Sequence, residues 1–368
     1  MTRAAGEAMR LEGGTLVLGA GIAGLAAARE LAARSHPVAL LEARGRAGGR
    51  IHTLRPEGAR VPVELGAEFI HGEPFSLLAL AREYDLEREA EGGGPREAGE
   101  PGDAGEPGSV AGSAGAGGPD EAGAPDGIEA VFARLGEARP DESLAAFVER
   151  VAPGPGSLEL RRAVLGFAQG YHAADPRWVA ARSLEGAGPG EAVSSSRLAR
   201  GFGELVAALR AHVERLGARL VLDAPVSRVA WDRSGVRVRA GDREHVARRA
   251  LVALPLGVLQ APPGVPGAVR FDPDPPRARR ALEALAMGAA FRVVLRFAGP
   301  PPVRPHGFTT GVPGDFPVWW SRGPEGGAGG ETVLTGWTGG PPARQLSGRR
   351  LEYVVQRALD SLAELPGT

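Results

Sequence analysis

Gly19, Gly21 and Gly24 follow a short apolar run, Thr15–Leu18, in the pattern G-x-G-x-x-G. Chemistry needs glycine at these places for three separate reasons. The first permits a tight turn out of a strand, the second lets backbone approach a pyrophosphate, and the third lets helix and strand pack closely. Ala20 and Ala23 keep the intervening positions small. Ile22–Ala33 is rich in Ala and Leu and predicts a helix. The N-terminus of that helix offers unpaired amides and a positive dipole end to phosphate. Val38–Leu41 predicts a second strand, and Glu42 ends it, 18 residues past Gly24. That spacing suits a carboxylate that holds the ribose hydroxyls of an adenosine and disfavours a 2′-phosphate. A lone glycine pattern is weak; strand, glycines, helix, strand and acid in register describe a dinucleotide site.

A third signal narrows the nucleotide. Glu42-Ala43-Arg44 leads into Gly48-Gly49-Arg50. A second glycine pair followed by Arg suits a loop beside the phosphates, with a guanidinium fork paired to them. This E-A-R-x-R-x-G-G-R run resembles the flavin-containing amine oxidase superfamily. That group includes monoamine and polyamine oxidases, L-amino-acid oxidases and histone demethylases. Protoporphyrinogen oxidases and phytoene desaturases are more distant relatives. The alternative is a solvated basic loop of Arg44, Arg46 and Arg50.

The resemblance implies an α/β fold: a Rossmann-like FAD-binding domain of discontinuous sequence, with an inserted α+β substrate domain. It places residues 13–75 and 197–262 in the first and residues 76–196 and 263–360 in the second. It also implies non-covalent FAD, an amine substrate and O₂. Oxidation would give an imine and hydrogen peroxide. The stretch ARLVLDAPVSRVAWDRSGVRVRA resembles a second flavin-domain segment, in which Val226 would meet the adenine end through its backbone. ELGAEFIHG, residues 64–72, resembles the segment beside the isoalloxazine ring, so Gly66, Ala67, Glu68 and Phe69 would lie against flavin. Small residues suit a flat ring that needs close backbone.

By the same match His71 would face the amine, where a neutral imidazole can accept a proton or orient the substrate. The competing reading is a surface or core histidine. His172, in GYHAADP, has no such support and reads as structural. Arg292 is the main departure. It stands where the family carries a lysine aimed at flavin N5. Arginine stays charged where a buried lysine can lose its proton. Arg292 would then hold water or a carboxylate without titrating. Alternatively, Arg292 and Arg296 share one solvated face of the strand FRVVLRF. Phe316, Trp319, Trp320 and Trp337 either wall an amine pocket by cation–π contact or, as is more usual, pack a core. Nothing after Gly340 resembles the family's C-terminal flavin-contacting segment, so the chain reads as lacking it. Rival readings follow: a desaturase or protoporphyrinogen-oxidase-like flavoenzyme, or a chain that binds little flavin.

Composition bounds the rest. With 368 residues the chain can build two cores. Its net charge of −1 points to neither nucleic acid nor an anionic membrane as partner. It has no cysteine, which excludes disulfides, thiolate metal sites and a cysteinyl–flavin bond; no metal site is expected. Lysine and asparagine are also absent, so all 43 basic residues are Arg. That bias looks like coding in GC-rich DNA and warns against giving every Arg a role. The first 14 residues hold no signal-peptide core, and no run approaches a membrane span, so the expected location is cytoplasmic.

The remaining elements read as follows. Phe75–Tyr84 is a helix. Residues 91–127, almost wholly Gly, Ala, Pro, Glu, Asp and Ser, are expected to be a disordered insertion. Helices return over 128–185, and Gly201–Leu216 is amphipathic, with Leu205, Leu209, Val213 and Leu216 on one face and Gly217 as a stop. Strands follow around the turn Arg233-Ser234-Gly235, and then a helix over RARRALEALAM. FRVVLRF, FPVWW and ETVLTGW read as strands, and LEYVVQRALDSLAEL as a last helix.

Overall fold

The computed structural model describes residues 7–90, 127–188, 195–297, 301, 308–323 and 331–365. The expected insertion, apart from Gly127, lies outside the described residues. The fold is α/β, and its larger sheet has seven strands. From one edge to the other these are Arg270–Asp272, Val226–Trp231, Val236–Ala240, Arg243–Val252, Arg10–Leu18, Val38–Leu41 and Arg219–Val221. The central strand Arg10–Leu18 pairs in parallel with Val38–Leu41 on one side and with Arg243–Val252 on the other. The strands from 226 to 252 form an antiparallel meander. The edge strand Arg270–Asp272 joins the sheet from beyond the Pro-rich break.

Central strands buried on both faces must be apolar throughout, and Leu16, Val17 and Leu18 are fully shielded, as are Ala39 and Leu40. The helix Ile22–Ala33 covers one face with Leu25, Ala28 and Ala32. Beside it lies Gly203–Arg215, which buries Leu205, Leu209 and Val213. Each such side chain contributes about 1.5–3 kcal/mol by leaving water. Leu216 does not share that face. It is the helix C-cap, 39% exposed, because Gly217 at φ +86° has already turned the chain away.

A second sheet of four strands runs Ala290–Phe297, Thr332–Gly339, Val318–Arg322 and Phe308–Thr310, all antiparallel. Its core holds Val293, Phe316, Trp319 and Leu334, covered by Val354, Ala358 and Leu362 of the helix Leu351–Ala363. A separate helical core joins Leu144–Val151 with Leu158–His172. Among the described residues no helix is long and apolar enough to cross a membrane, and no group of His, Asp and Glu could hold a metal ion.

The strand at the first glycine pattern starts earlier than the apolar run suggests, at Arg10 rather than Thr15. Arg10 and Leu11 pair with Arg243–Val252 ahead of an irregularity between Leu11 and Thr15, and this half of the strand is largely exposed, so it carries no apolar run.

Candidate functional site

The glycine turn has the close packing its residues imply. Gly19 adopts φ +100°, and a Cβ there would lie 2.9 Å from the Ala253 carbonyl. A Cβ on Gly24 would lie 2.0 Å from the Gly19 carbonyl, so only glycine fits under the turn. Gly21 is different. Its Cβ would meet only the Gly49 Cα, at 3.9 Å, so space lies over it. Gly21 is the N-cap of Ile22–Ala33, and no side chain caps the first-turn amides.

Glu42, buried at the end of Val38–Leu41, faces that turn. Its two carboxylate oxygens accept the Ala20 amide at 2.8 Å and the Arg44 amide at 3.0 Å. Its carbonyl accepts the Ala224 amide at 2.8 Å, two residues before Val226.

The second glycine pair lies directly on the first. Gly48 donates to the Ala20 carbonyl at 2.8 Å and forms a bridge with Gly21. Gly48 and Gly49 both have positive φ, +106° and +58°, which favours glycine. The three arginines divide their work. Arg44 and Arg46 donate to the Gly49 carbonyl at 3.2 and 3.0 Å, and Arg46 also reaches the Ile51 carbonyl at 2.9 Å. They hold the loop's shape. Burial, then the Arg44 charge, lowers the Arg46 pKa. Arg50 is exposed, and its guanidinium makes no hydrogen bond or ion pair among the described residues. Ala43 is exposed at the rim.

The chain leaves this cradle along a continuous backbone path. Leu65 donates to the His52 carbonyl at 2.8 Å and Ala67 to the Arg50 carbonyl at 3.2 Å. A Cβ on Gly66 would lie 1.9 Å from that Arg50 carbonyl, so the close approach again demands glycine. Residues 64–68 are thereby tied to the GGR loop.

Arg292 grips the same segment from the other sheet. Its Nη1 donates to the Glu64 and Gly66 carbonyls, each at 2.8 Å, and its Nη2 lies 3.3 Å from the Glu68 carboxylate. The solvated reading therefore fails for Arg292, which is buried because its strand face packs against residues 64–68. It holds for Arg296, half-exposed and paired with Glu331. Burial pulls the Arg292 pKa down, and the Glu68 and Glu64 charges partly restore it. Its buried Nε has no partner among the described residues. The carboxylate that Arg292 holds belongs to the chain itself.

Glu68 turns its side chain inward. It accepts from Arg197 Nε at 3.2 Å and from the Trp320 indole at 3.1 Å. Arg197 in turn lies over the Phe69 ring, 4.4 Å from its centroid. Glu64 is also buried. It accepts from the Thr53 hydroxyl and the Phe202 amide, both at 2.7 Å, while Thr53 accepts the Gly203 amide at 2.7 Å. Together they cap the helix Gly203–Arg215 from a distant part of the chain. Burial raises the Glu64 pKa, against those two hydrogen bonds.

His71 follows on the strand Ile70–His71, opposite Ser195. Its Nδ1 lies 3.0 Å from the Ser195 hydroxyl. The ring stands between Phe69 and Tyr171, with centroids 5.9 and 6.0 Å away. Phe69 continues into Phe308 and Trp320. His71 opens to solvent on one side, yet the surrounding side chains lower its pKa by desolvation. Its imidazole is therefore neutral at pH 7.

Of the four aromatics that could wall a pocket or pack a core, Phe316 and Trp319 are core. Trp320 is buried against Glu68. Trp337 is half-buried and donates to the Gly170 carbonyl at 2.7 Å. His172 lies 3.2 Å from the Ala187 carbonyl, as a structural histidine would.

Glycine turn, loop and segment 64–71 thus form one surface. A family model described as flavin containing amine oxidoreductase matches residues 22–367. The chain belongs to this family. Polyamine oxidase 3 of Oryza sativa subsp. japonica is 28% identical over 298 residues, which cover 77% of this chain and 59% of that protein. Putrescine oxidase of Kocuria rosea is 44% identical over 85 residues, 23% of this chain and 17% of that protein. The chain thus spans less than two thirds of the curated amine oxidases it matches. Among solved structures, wild-type putrescine oxidase bound to putrescine aligns with a TM-score of 0.68 at 20% identity, covering 96% of this chain and 82% of that one. Cyclohexylamine oxidase from Brevibacterium oxydans aligns with a TM-score of 0.67 at 19% identity, covering 95% and 80%. At these identities the likeness is one of fold, that of the amine oxidases.

The residues fit the flavin that gives the family its name. The glycine turn excludes side chains, Gly21 leaves space above a helix N-terminus, and Arg50 is a cation without a partner among the described residues. Arg197 and Thr53 carry no local motif that marks them in the sequence, since Arg197 meets Glu68 and Thr53 meets the Gly203 amide far away along the chain.

Proposed function

We propose that the chain binds FAD non-covalently and oxidises a primary or secondary amine to an imine, with O₂ as acceptor and hydrogen peroxide as product. Residues 13–75 and 197–262 hold the cofactor in this reading, and residues 76–196 and 263–360 form the amine side. The division is supported by the origin of the seven-stranded sheet, which draws on the first pair of segments except at its edge Arg270–Asp272 and at the start of the strand Arg10–Leu18.

Gly19, Ala20, Gly21, Ala23 and Gly24 present backbone to the pyrophosphate, and Arg50 with Gly48 and Gly49 closes over it. Glu42 takes the ribose hydroxyls while keeping its two backbone amides, since a carboxylate has about four acceptor sites. Ala43 and Arg44 carry the loop past the ribose, and Val226 meets the adenine end. Gly66, Ala67, Glu68 and Phe69 form the wall beside the flavin ring. Flavin held by these residues would supply the redox chemistry, a hydride acceptor for the carbon that bears the amine and an electron donor to O₂.

The protein's part is positioning. Arg292 fixes Gly66 through its carbonyl, so its charge serves the site without a proton leaving it. His71, neutral between aromatic rings, accepts a hydrogen bond from the substrate ammonium or takes its proton. Phe69, Phe308 and Tyr171 add π faces for a cation. The observation that carries this reading is the backbone tie between Arg50 and Ala67. It joins the phosphate loop directly to the segment that ends at His71. Purified protein should be yellow with one flavin per chain, and an amine should bleach it without air. Colourless protein in excess FAD, or a spectrum unchanged across amines, would overturn the reading. Turnover of a porphyrinogen or polyene but of no amine would shift it to the desaturase-like branch.

A further inference from the structure

The outer face of the meander carries a feature that flavin chemistry does not use. Strand register sets Arg228 directly opposite Arg239, and on its other side beside Arg270. Arg237 is two residues from Arg239 on the same strand face. Directly opposed Cβ atoms in a sheet are about 4.5–5.5 Å apart, and like charges so placed repel. Arg228 is paired with Asp272. Arg237, Arg239 and Arg270 donate no side-chain hydrogen bond and close no ion pair within 4 Å among the described residues. A depression over Ala230 is lined by Arg228, Arg237, Arg239 and Glu244.

We propose that this depression binds a small oxyanion bearing two or more negative charges, such as a phosphate ester or a polycarboxylate. Arg228, Arg237 and Arg239 line a floor of small size at Ala230, and a guanidinium is a fork that matches phosphate or carboxylate oxygens. The acids decide the size of the ligand. Asp272, opposite Ala230 and paired with Arg228, stands on one side, and Glu244, opposite Arg239, stands on the other. A long polyanion such as nucleic acid would run onto these carboxylates, whereas a compact anion sits between them. The net charge of −1 makes the patch a local field rather than a property of the whole chain. The anion relieves the repulsion between Arg228 and Arg239, so its binding stabilises the fold.

The test is calorimetric titration of FAD-saturated protein with inorganic tripolyphosphate, and separately with citrate, at low ionic strength. Excess FAD keeps the proposed pyrophosphate cradle from answering for the patch. One site per chain is expected for at least one of the two anions. R237Q/R239Q should weaken it at least tenfold, R237K/R239K, which keeps the charge but loses the fork, should weaken it less than the Gln pair does, and R277Q/R280Q, a control pair on the exposed helix Pro276–Glu283, should leave it unchanged. Without anion, R239Q alone should raise the melting temperature by relieving repulsion. Equal weakening by the two Gln pairs, or heat no greater than sodium chloride of matched ionic strength gives, would overturn the proposal. So would a lowered melting temperature for R239Q.

Discussion

Arg292 Nη2 stands 3.3 Å from Glu68 Oε2, with 9% of one side chain and 5% of the other open to solvent. A pair this dry obeys different rules from a surface ion pair. Taking either charge out of water costs several kcal/mol, and the partner offsets it only while both are present. Removing Glu68 as E68L strands Arg292 and Arg197 together, and should cost about 3–5 kcal/mol. R292M should cost less, because Glu68 keeps Arg197 and the Trp320 indole. The double variant E68L/R292M should lose at least about 1 kcal/mol less than the sum. Urea unfolding of the four proteins checks this; strict additivity would show that the two groups do not depend on each other.

The two glycines of the first turn should separate folding from cofactor binding. A Cβ on Gly24 would lie 2.0 Å from the Gly19 carbonyl, a contact with backbone that cannot swing away. G24A should therefore destabilise the fold by about 2 kcal/mol or more, in line with overpacking of a tight core. Gly21 has room, so G21A should cost about 1 kcal/mol or less, the usual difference between Gly and Ala at an N-cap. It should nevertheless weaken FAD at least tenfold, because the methyl enters the space where the pyrophosphate is proposed to lie. Flavin fluorescence titration beside thermal melting reads both. G21A protein that binds FAD as tightly as wild type would remove the pyrophosphate from this turn.

These glycines also show what was legible in the sequence. The helix Ile22–Ala33 and the strand Val38–Leu41 fall where composition and spacing put them, because their causes are local. Helix propensity, strand length and turn chemistry all act within a few residues. The caps and clamps are not local. Glu64 meets the Phe202 amide across 138 residues, and Glu68 meets Arg197 across 129. Arg197 sits in a run, SSSRLARG, that has no periodicity to mark it. Leu216 misleads for the opposite reason, since helical periodicity extends past the residue at which Gly217 ends the helix. Arg292 was visible as an oddity, but the carboxylate that explains it lies in another segment of the chain.

His71 should leave a signature in the pH profile of amine turnover. Desolvation lowers its pKa below the ordinary imidazole value of about 6.5. The neutral form thus prevails above pH 6.5, and an acid limb due to His71 falls below it. H71N keeps a polar group near Ser195 but cannot titrate. Its kcat should drop about a hundredfold or more, the lower range for loss of acid–base help. The acid limb of kcat should vanish with it. An unchanged limb in H71N would assign that limb elsewhere and leave His71 as a wall residue.

A second histidine should govern stability in acid. His245, 1% exposed on the strand Arg243–Val252, accepts the Met9 amide at Nδ1, 3.3 Å away. Burial lowers its pKa, and the Arg243 and Arg219 charges lower it further. The sign follows from proton counting. Below about pH 6.5 the unfolded chain takes up a proton that the folded chain refuses, so stability falls as pH drops. The contribution is complete above the unfolded value and is lost on the way down through the folded one. Protonation would also forfeit the Met9 hydrogen bond, releasing the start of the central strand first. H245N offers an amide oxygen to Met9 and does not titrate. Between pH 7 and 5 wild type should lose more stability than H245N, and the gap should widen as the pH falls. One proton sets its ceiling, about 1.4 kcal/mol for each pH step of one below the unfolded value. His52, His71 and His172 titrate in both proteins and cancel in the difference. Parallel stability curves for the two proteins would show that His245 carries no pH dependence.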